Sequence, residues 1–97
     1  MDIGRAMLEI REEMHLSRKE MAGTLGVTPG ALWKMETGKV QPKPATIQRF
    51  LETTGVSRAE LYLRAINKDD IPARDFLDIM DVLTSVTSIL YRHRRYD

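Results

Sequence analysis

The chain is expected to be all-α, five short helices followed by a longer sixth, and three observations lead there. Apolar residues recur at spacings of three and four along most of the sequence, the period of a helix with one buried face. Serine or threonine stands ahead of several of these stretches and glycine behind them, the residue types that open and close helices. No alternation of apolar and polar residues persists long enough to build a strand.

Taken in order, Ile3, Met7, Ile10 and Met14 define the apolar face of a first helix. Ser17 with Glu20 three places on is a capping box, in which hydroxyl and carboxylate each accept a backbone N–H that the helix start leaves unpaired. The second helix turns Met21, Ala22 and Leu25 inward and stops at Gly26. Thr28 followed by Pro29 opens a third, which runs to about Glu36 and ends at Thr37 and Gly38. Residues 39–44 are expected to form a loop, because two prolines in three residues do not continue a helix. Ile47, Phe50 and Leu51 mark a fourth helix closed by Gly55. Ser57 with Glu60 is a second capping box, opening a fifth helix that carries Leu61 and Leu63. Residues 67–71 are polar and read as a linker, and Pro72 begins a last helix reaching toward Tyr91. The expected division is therefore a domain over 1–66, a linker over 67–71 and a C-terminal helix within 72–97.

Composition removes several function classes. With 42% hydrophobic and 30% charged residues the chain is neither disordered nor membrane-like, and no apolar run approaches the roughly 18 residues of a bilayer span. Acids within the first helix break any signal-peptide core, and the absence of cysteine excludes disulfides and thiolate metal sites, so a cytoplasmic location is expected. Fifteen Lys and Arg against 14 Asp and Glu leave a net charge of +1. A uniformly basic nucleic-acid binder is thereby excluded, and any DNA-facing surface has to come from local clustering. The acidic stretch from Asp69 to Asp81 is a poor partner for phosphate, whereas residues 92–95 are basic again. His15 and His93 lack a carboxylate framework at ligand spacing, so neither a metal nor any other cofactor is expected. Ser17 and Ser57 are caps, and no catalytic constellation appears.

Two short helices joined by Gly26-Val27-Thr28 have the geometry of a helix-turn-helix, whose second helix enters the major groove. Ala22 suits the close crossing of the two helices, while Val27 and Leu32 face the core. The string Arg11, Leu16, Ser17, Glu20, Ala22, Leu25, Gly26, Val27, Leu32, Glu36 and Gly38, continued by Pro42, Ile47, Leu51, Gly55 and Leu61, resembles the lambda-repressor-like (Cro/CI-type) helix-turn-helix DNA-binding family. The likeness covers about residues 3–66. It implies that Arg11 and Glu36 form a structural ion pair and contact no DNA. It also implies that Arg18, where relatives usually have glutamine, faces the DNA backbone, with Lys19 a weaker candidate beside it. Thr28, Pro29, Gly30 and Ala31 match the leading edge of the recognition helix, with Trp33 and Lys34 one turn further along. Lys39 and Lys43 match the loop that lies along the phosphates.

Two departures from the family pattern matter. Pro29 and Gly30 stand where relatives often carry long polar side chains, so hydrogen-bonded base readout at the helix tip is thin. His15 replaces a common glycine, and histidine tolerates the left-handed conformation better than most residues. Trp33 has two readings, contact with DNA or a partner, and a ring lying over the edge of the core next to the loop.

Phe76, Ile79, Leu83, Val86 and Leu90 repeat at heptad spacing in the last helix. Such a stripe either packs on the chain's own domain or pairs with a second copy. Because the five-helix domain already has a core, the homodimer is the favoured reading. Ninety-seven residues leave no room for a separate ligand-binding or cleavage domain, so regulation is expected through concentration, partner proteins or DNA context. The expected function is that of a dimeric, sequence-specific regulator of transcription on double-stranded DNA, acting as a repressor. The alternative is a protein-interaction module on the same fold, of the antitoxin or regulator-antagonist type. A third reading is DNA binding guided by DNA shape.

Overall fold

A computed structural model describes residues 1–67, 70 and 73–96, with only the helical backbone described at 73, 76 and 92–96. Six helices run in order: α1 (Ile3–Glu13), α2 (Arg18–Leu25), α3 (Pro29–Glu36), α4 (Pro44–Thr54), α5 (Arg58–Ala65) and α6 (Ala73–Tyr96). Among the described residues there is no strand, and no helix is long and apolar enough to cross a membrane. The chain divides into two compact units, Met1–Ile66 and Asn67–Asp97.

The first unit holds one core. α1 contributes Ala6, Met7 and Ile10, α2 contributes Met21, Ala22 and Leu25, and α3 contributes Leu32. Ile47, Phe50 and Leu51 from α4 and Leu61 and Ala65 from α5 complete it. α1 lies against α3 and α5, and α2 lies against α3 and α4. Chain direction at the ends is set by caps. The Ser17 hydroxyl accepts from the Glu20 N–H while the Glu20 carboxylate accepts from the Ser17 N–H, both at 3.0 Å. The Ser17 N–H foremost, with the Ser17 hydroxyl second, holds the Glu20 carboxyl below its usual range. The contribution of this cap is therefore full above the ordinary glutamate pKa and fades as pH falls through the lowered one.

α1 ends at Glu13, and the reversal after it is made by His15 at φ 57°, the left-handed residue that closes a helix. Met14 therefore leaves the apolar face on which its spacing placed it and is exposed. Leu63 is exposed too, since α5 presents Leu61 and Ala65 to the core. The second capping box closes only halfway. Ser57 caps the Glu60 N–H at 3.1 Å, but the Glu60 carboxylate accepts from Arg64 at 3.2 Å instead. Pro44 belongs to α4 as its first residue, where a missing N–H costs nothing, so the loop is one residue shorter than expected.

α6 runs to Tyr96, beyond the expected Tyr91, with Asp75 in its first turn where the helix dipole favours an acid. The placement of Pro72, of linker residues 68, 69 and 71, and of the Phe76 and 92–95 side chains lies outside the described residues.

Candidate nucleic-acid interface

The pairing of α2 with α3 is produced by three successive backbone choices. Gly26 takes φ 70°, a left-handed conformation that a Cβ disfavours, and its N–H returns to carbonyls of α2. Val27 packs partly buried against the core. Thr28 stays extended, its hydroxyl accepting from the Ala31 N–H at 3.0 Å, and Pro29 begins α3.

α3 is held from behind. Leu32, Met35 and Glu36 are buried, and the Glu36 carboxylate sits among two arginines. Arg11 donates to it from Nε at 2.7 Å and from Nη2 at 3.3 Å, and its Nη1 donates to the Leu16 carbonyl at 2.9 Å. Arg18 adds a bond from Nε at 2.9 Å. Arg18 is thus turned onto Glu36, while its side chain stays 38% exposed and, among the described residues, its Nη groups have no partner. Two arginines thus meet the Glu36 carboxylate beside the start of α2, whose own cap carries the Glu20 carboxylate. Gly4 is the other contact that sets α3. A Cβ built there would stand 1.8 Å from the Met35 carbonyl oxygen, so α1 and α3 cross backbone to backbone.

The outward side of α3 is open. Thr28, Pro29, Gly30, Trp33 and Lys34 are exposed and Ala31 is half-buried. Gly30 and Lys34, one turn apart, form the ridge farthest from Leu32. Neither a positive φ nor any neighbour within 4 Å requires glycine at 30, although glycine in a helix costs about 1 kcal/mol relative to alanine. Trp33 is 39% exposed, with the Lys39 ammonium 4.7 Å from its ring centre, a cation–π contact from the following loop. That loop is tied back by the N–H groups of Lys39 and Val40, both donating to the Lys34 carbonyl. Lys19 is exposed on α2.

Lys43 lines a surface cleft of about 320 Å³ with Leu25, Gly26, Val27, Ala45, Thr46 and Arg49. It is the N-cap residue of α4 but makes no side-chain cap, so the first amides of that helix and two cations share one cleft. Arg49 donates from Nη1 to the Leu25 carbonyl at 3.3 Å. Arg49 was not legible as a site residue. It lies beside inward-facing Phe50 with no spacing signal, and only the packing of α4 on α2 brings it to the turn. Among the described residues no group of three or more His, Asp or Glu could hold a metal ion.

The helix-turn-helix domain family matches residues 2–63, the whole of this arrangement. The chain belongs to the helix-turn-helix family. Its Cro/CI-like kind agrees with the relatives found. The HTH-type transcriptional regulator PuuR of Escherichia coli (strain K12) is 31% identical over 77 residues, covering 70% of this chain and 42% of that protein. PuuR of Shigella flexneri gives the same figures. The chain thus spans well under half the length of these curated relatives. The crystal structure of the clp gene regulator ClgR from Corynebacterium glutamicum superposes with a TM-score of 0.63 at 18% identity, over 92% of this chain and 86% of that one. At that identity the likeness shows the fold. In helix-turn-helix terms, α2 and α3 stand in the places of the first and second helices of the motif.

The seam residues of α6 are mostly uncovered. Ile79, Val86 and Leu90 are exposed and Leu83 is half-buried, with exposed Val82 and Ile89 alongside.

Proposed function

We propose that this helix-turn-helix chain is a regulator of transcription that binds double-stranded DNA through α3, pairs with a second copy through α6, and represses by occluding a promoter. The observation that carries the reading is the outward face of α3: exposed along its length, fixed from behind at Gly4 and Glu36, and flanked by cations. Docked in a major groove, that face meets base edges. Lys34, Lys39, Lys43, Arg49 and the free Nη groups of Arg18 then lie toward the two phosphate ridges, and Lys19 stands further round α2. The relative PuuR, an HTH-type transcriptional regulator, supports the same reading.

Salt dependence tests it. Each phosphate contact removed is expected to flatten the slope of log affinity against log salt by about 0.9. Lys43→Ala and Arg49→Ala, measured by fluorescence anisotropy across a salt series, should each do so. Slopes equal to wild type in both variants would put the DNA elsewhere.

The dimer rests on the α6 seam. Ile79, Val86 and Leu90 stand at heptad spacing in water, and burying each is worth about 1.5–3 kcal/mol. Two recognition helices one DNA turn apart would read an inverted repeat, which a single short helix cannot. Leu83→Asp is expected to halve the mass seen by light scattering while the helical circular dichroism of the five-helix unit persists. An unchanged mass removes the seam from the assembly.

A second reading, a protein-binding module on the same fold, is favoured by one observation, the large exposed ring of Trp33. It requires that the chain retain no DNA even at low salt.

A further inference from the structure

The face that α3 presents is chemically one-sided. Pro29, Gly30 and Ala31 offer no polar side-chain atom, and the exposed Thr28 hydroxyl, which accepts from the Ala31 N–H, is the one side-chain polar group at the tip. The side-chain donors are the Thr28 hydroxyl, the Trp33 indole and the Lys34 ammonium, and α3 has no exposed Asn, Gln, Asp or Glu to act as acceptor. Reading adenine or cytosine in the major groove takes an acceptor for an exocyclic amine, and on this face only the remaining lone pair of the Thr28 hydroxyl offers one. Thymine shows something else there, its 5-methyl group, which apolar side chains recognise.

Gly30 gives the second, independent observation. This chain has no internal use for a glycine at that position, since its φ is ordinary and a Cβ would meet nothing within 4 Å. The missing side chain leaves the first turn of the outer ridge of α3, ahead of Lys34, as bare backbone at position 30, able to approach a groove floor more closely there than any other residue would allow. Beside it stand Pro29 and, one turn on from Pro29, Trp33, whose ring Lys39 braces from the loop. The exposed surface at positions 29, 30 and 33 is therefore apolar, with the Lys34 and Lys39 ammonium groups beside it.

Resting on the DNA-binding reading above, we propose that α3 selects its site by apolar contact with thymine methyl groups, Gly30 allowing close approach and Trp33 forming the wall. Methyl packing sets the preference for thymine at the positions that Gly30 and Trp33 meet, and the exposed donors are left for acceptor edges.

The test uses the full chain and the duplex that it retains best from a randomised pool. Each thymine of that duplex is replaced in turn by deoxyuridine, which keeps every base pair and removes only the methyl. At one or two positions per half-site the affinity should fall about fourfold, the factor for losing one buried methyl-sized group. Trp33→Ala should abolish the preference for thymine over deoxyuridine at one of those positions. Where that variant folds poorly, the deoxyuridine series decides alone, since it needs only the wild-type protein. Gly30→Gln, which fills the ridge, should lose at least tenfold in affinity, whereas Gly23→Ala on exposed α2 should lose none. A selected duplex bound equally well with deoxyuridine at every position overturns the proposal and leaves DNA binding intact. So does retention of all sequences alike. Failure to retain any duplex at low salt overturns the proposal and the DNA-binding reading together.

Discussion

Gly4→Ala is expected to destabilise the protein by about 3 kcal/mol, the upper part of the range for overpacking a tight interior. The added methyl would stand 1.8 Å from the Met35 carbonyl oxygen and 2.7 Å from its carbon. What it meets is backbone, which cannot turn aside as a side chain can, so α1 and α3 must separate. Alanine is otherwise favoured over glycine in a helix by about 1 kcal/mol, so a loss here isolates the clash. For a unit of this size the loss lowers the melting temperature by roughly 12–24 °C, readable by circular dichroism. Gly23→Ala, where a Cβ meets nothing within 4 Å, should instead raise it slightly. Because the displaced helix is α3, DNA affinity should fall even below the transition. Melting unchanged from wild type would mean that the two helices do not cross at Gly4.

Glu36→Ala is expected to cost about 3–5 kcal/mol, because it leaves the Arg11 guanidinium buried without its counter-charge. Side-chain exposures of 9% for Arg11 and 1% for Glu36 place this pair out of water, and the two-point contact leaves little room to rearrange. Arg18→Ala should behave differently. It removes an exposed partner while Arg11 still neutralises Glu36, so the stability change should stay below about 1 kcal/mol and the effect should appear in DNA binding. Joint replacement by Arg11→Met and Glu36→Leu should recover much of the Glu36→Ala loss, since an apolar pair avoids desolvating charge. Urea unfolding of the three variants beside wild type separates these outcomes. A Glu36→Ala loss under 1 kcal/mol would show that the pair is not buried as described.

The sequence by itself determined the helices, because their signals are local. Ser17 and Glu20 cap each other within one turn, Thr28 caps Ala31, and Gly26 ends α2 in a left-handed conformation that glycine takes without the steric cost of a Cβ. His15 at positive φ was legible for the same reason, and so was the membership that follows from the spacing of these signals. Tertiary structure decided whatever depends on residues far apart in the chain. The need for glycine at position 4 exists only because α3 crosses there, and no pattern within α1 announces it. Arg18 turns to Glu36 and Arg49 to Leu25 because packing brings unlike groups within hydrogen-bond reach. Met14 and Leu63 obey helical spacing and are still exposed, since the period says which residues share a side and not where the core ends. Local rules are enforced over three or four residues by hydrogen bonds that close in a single turn. The site is a long-range object, assembled from α1, the α2–α3 pair and α4 only once the core has formed.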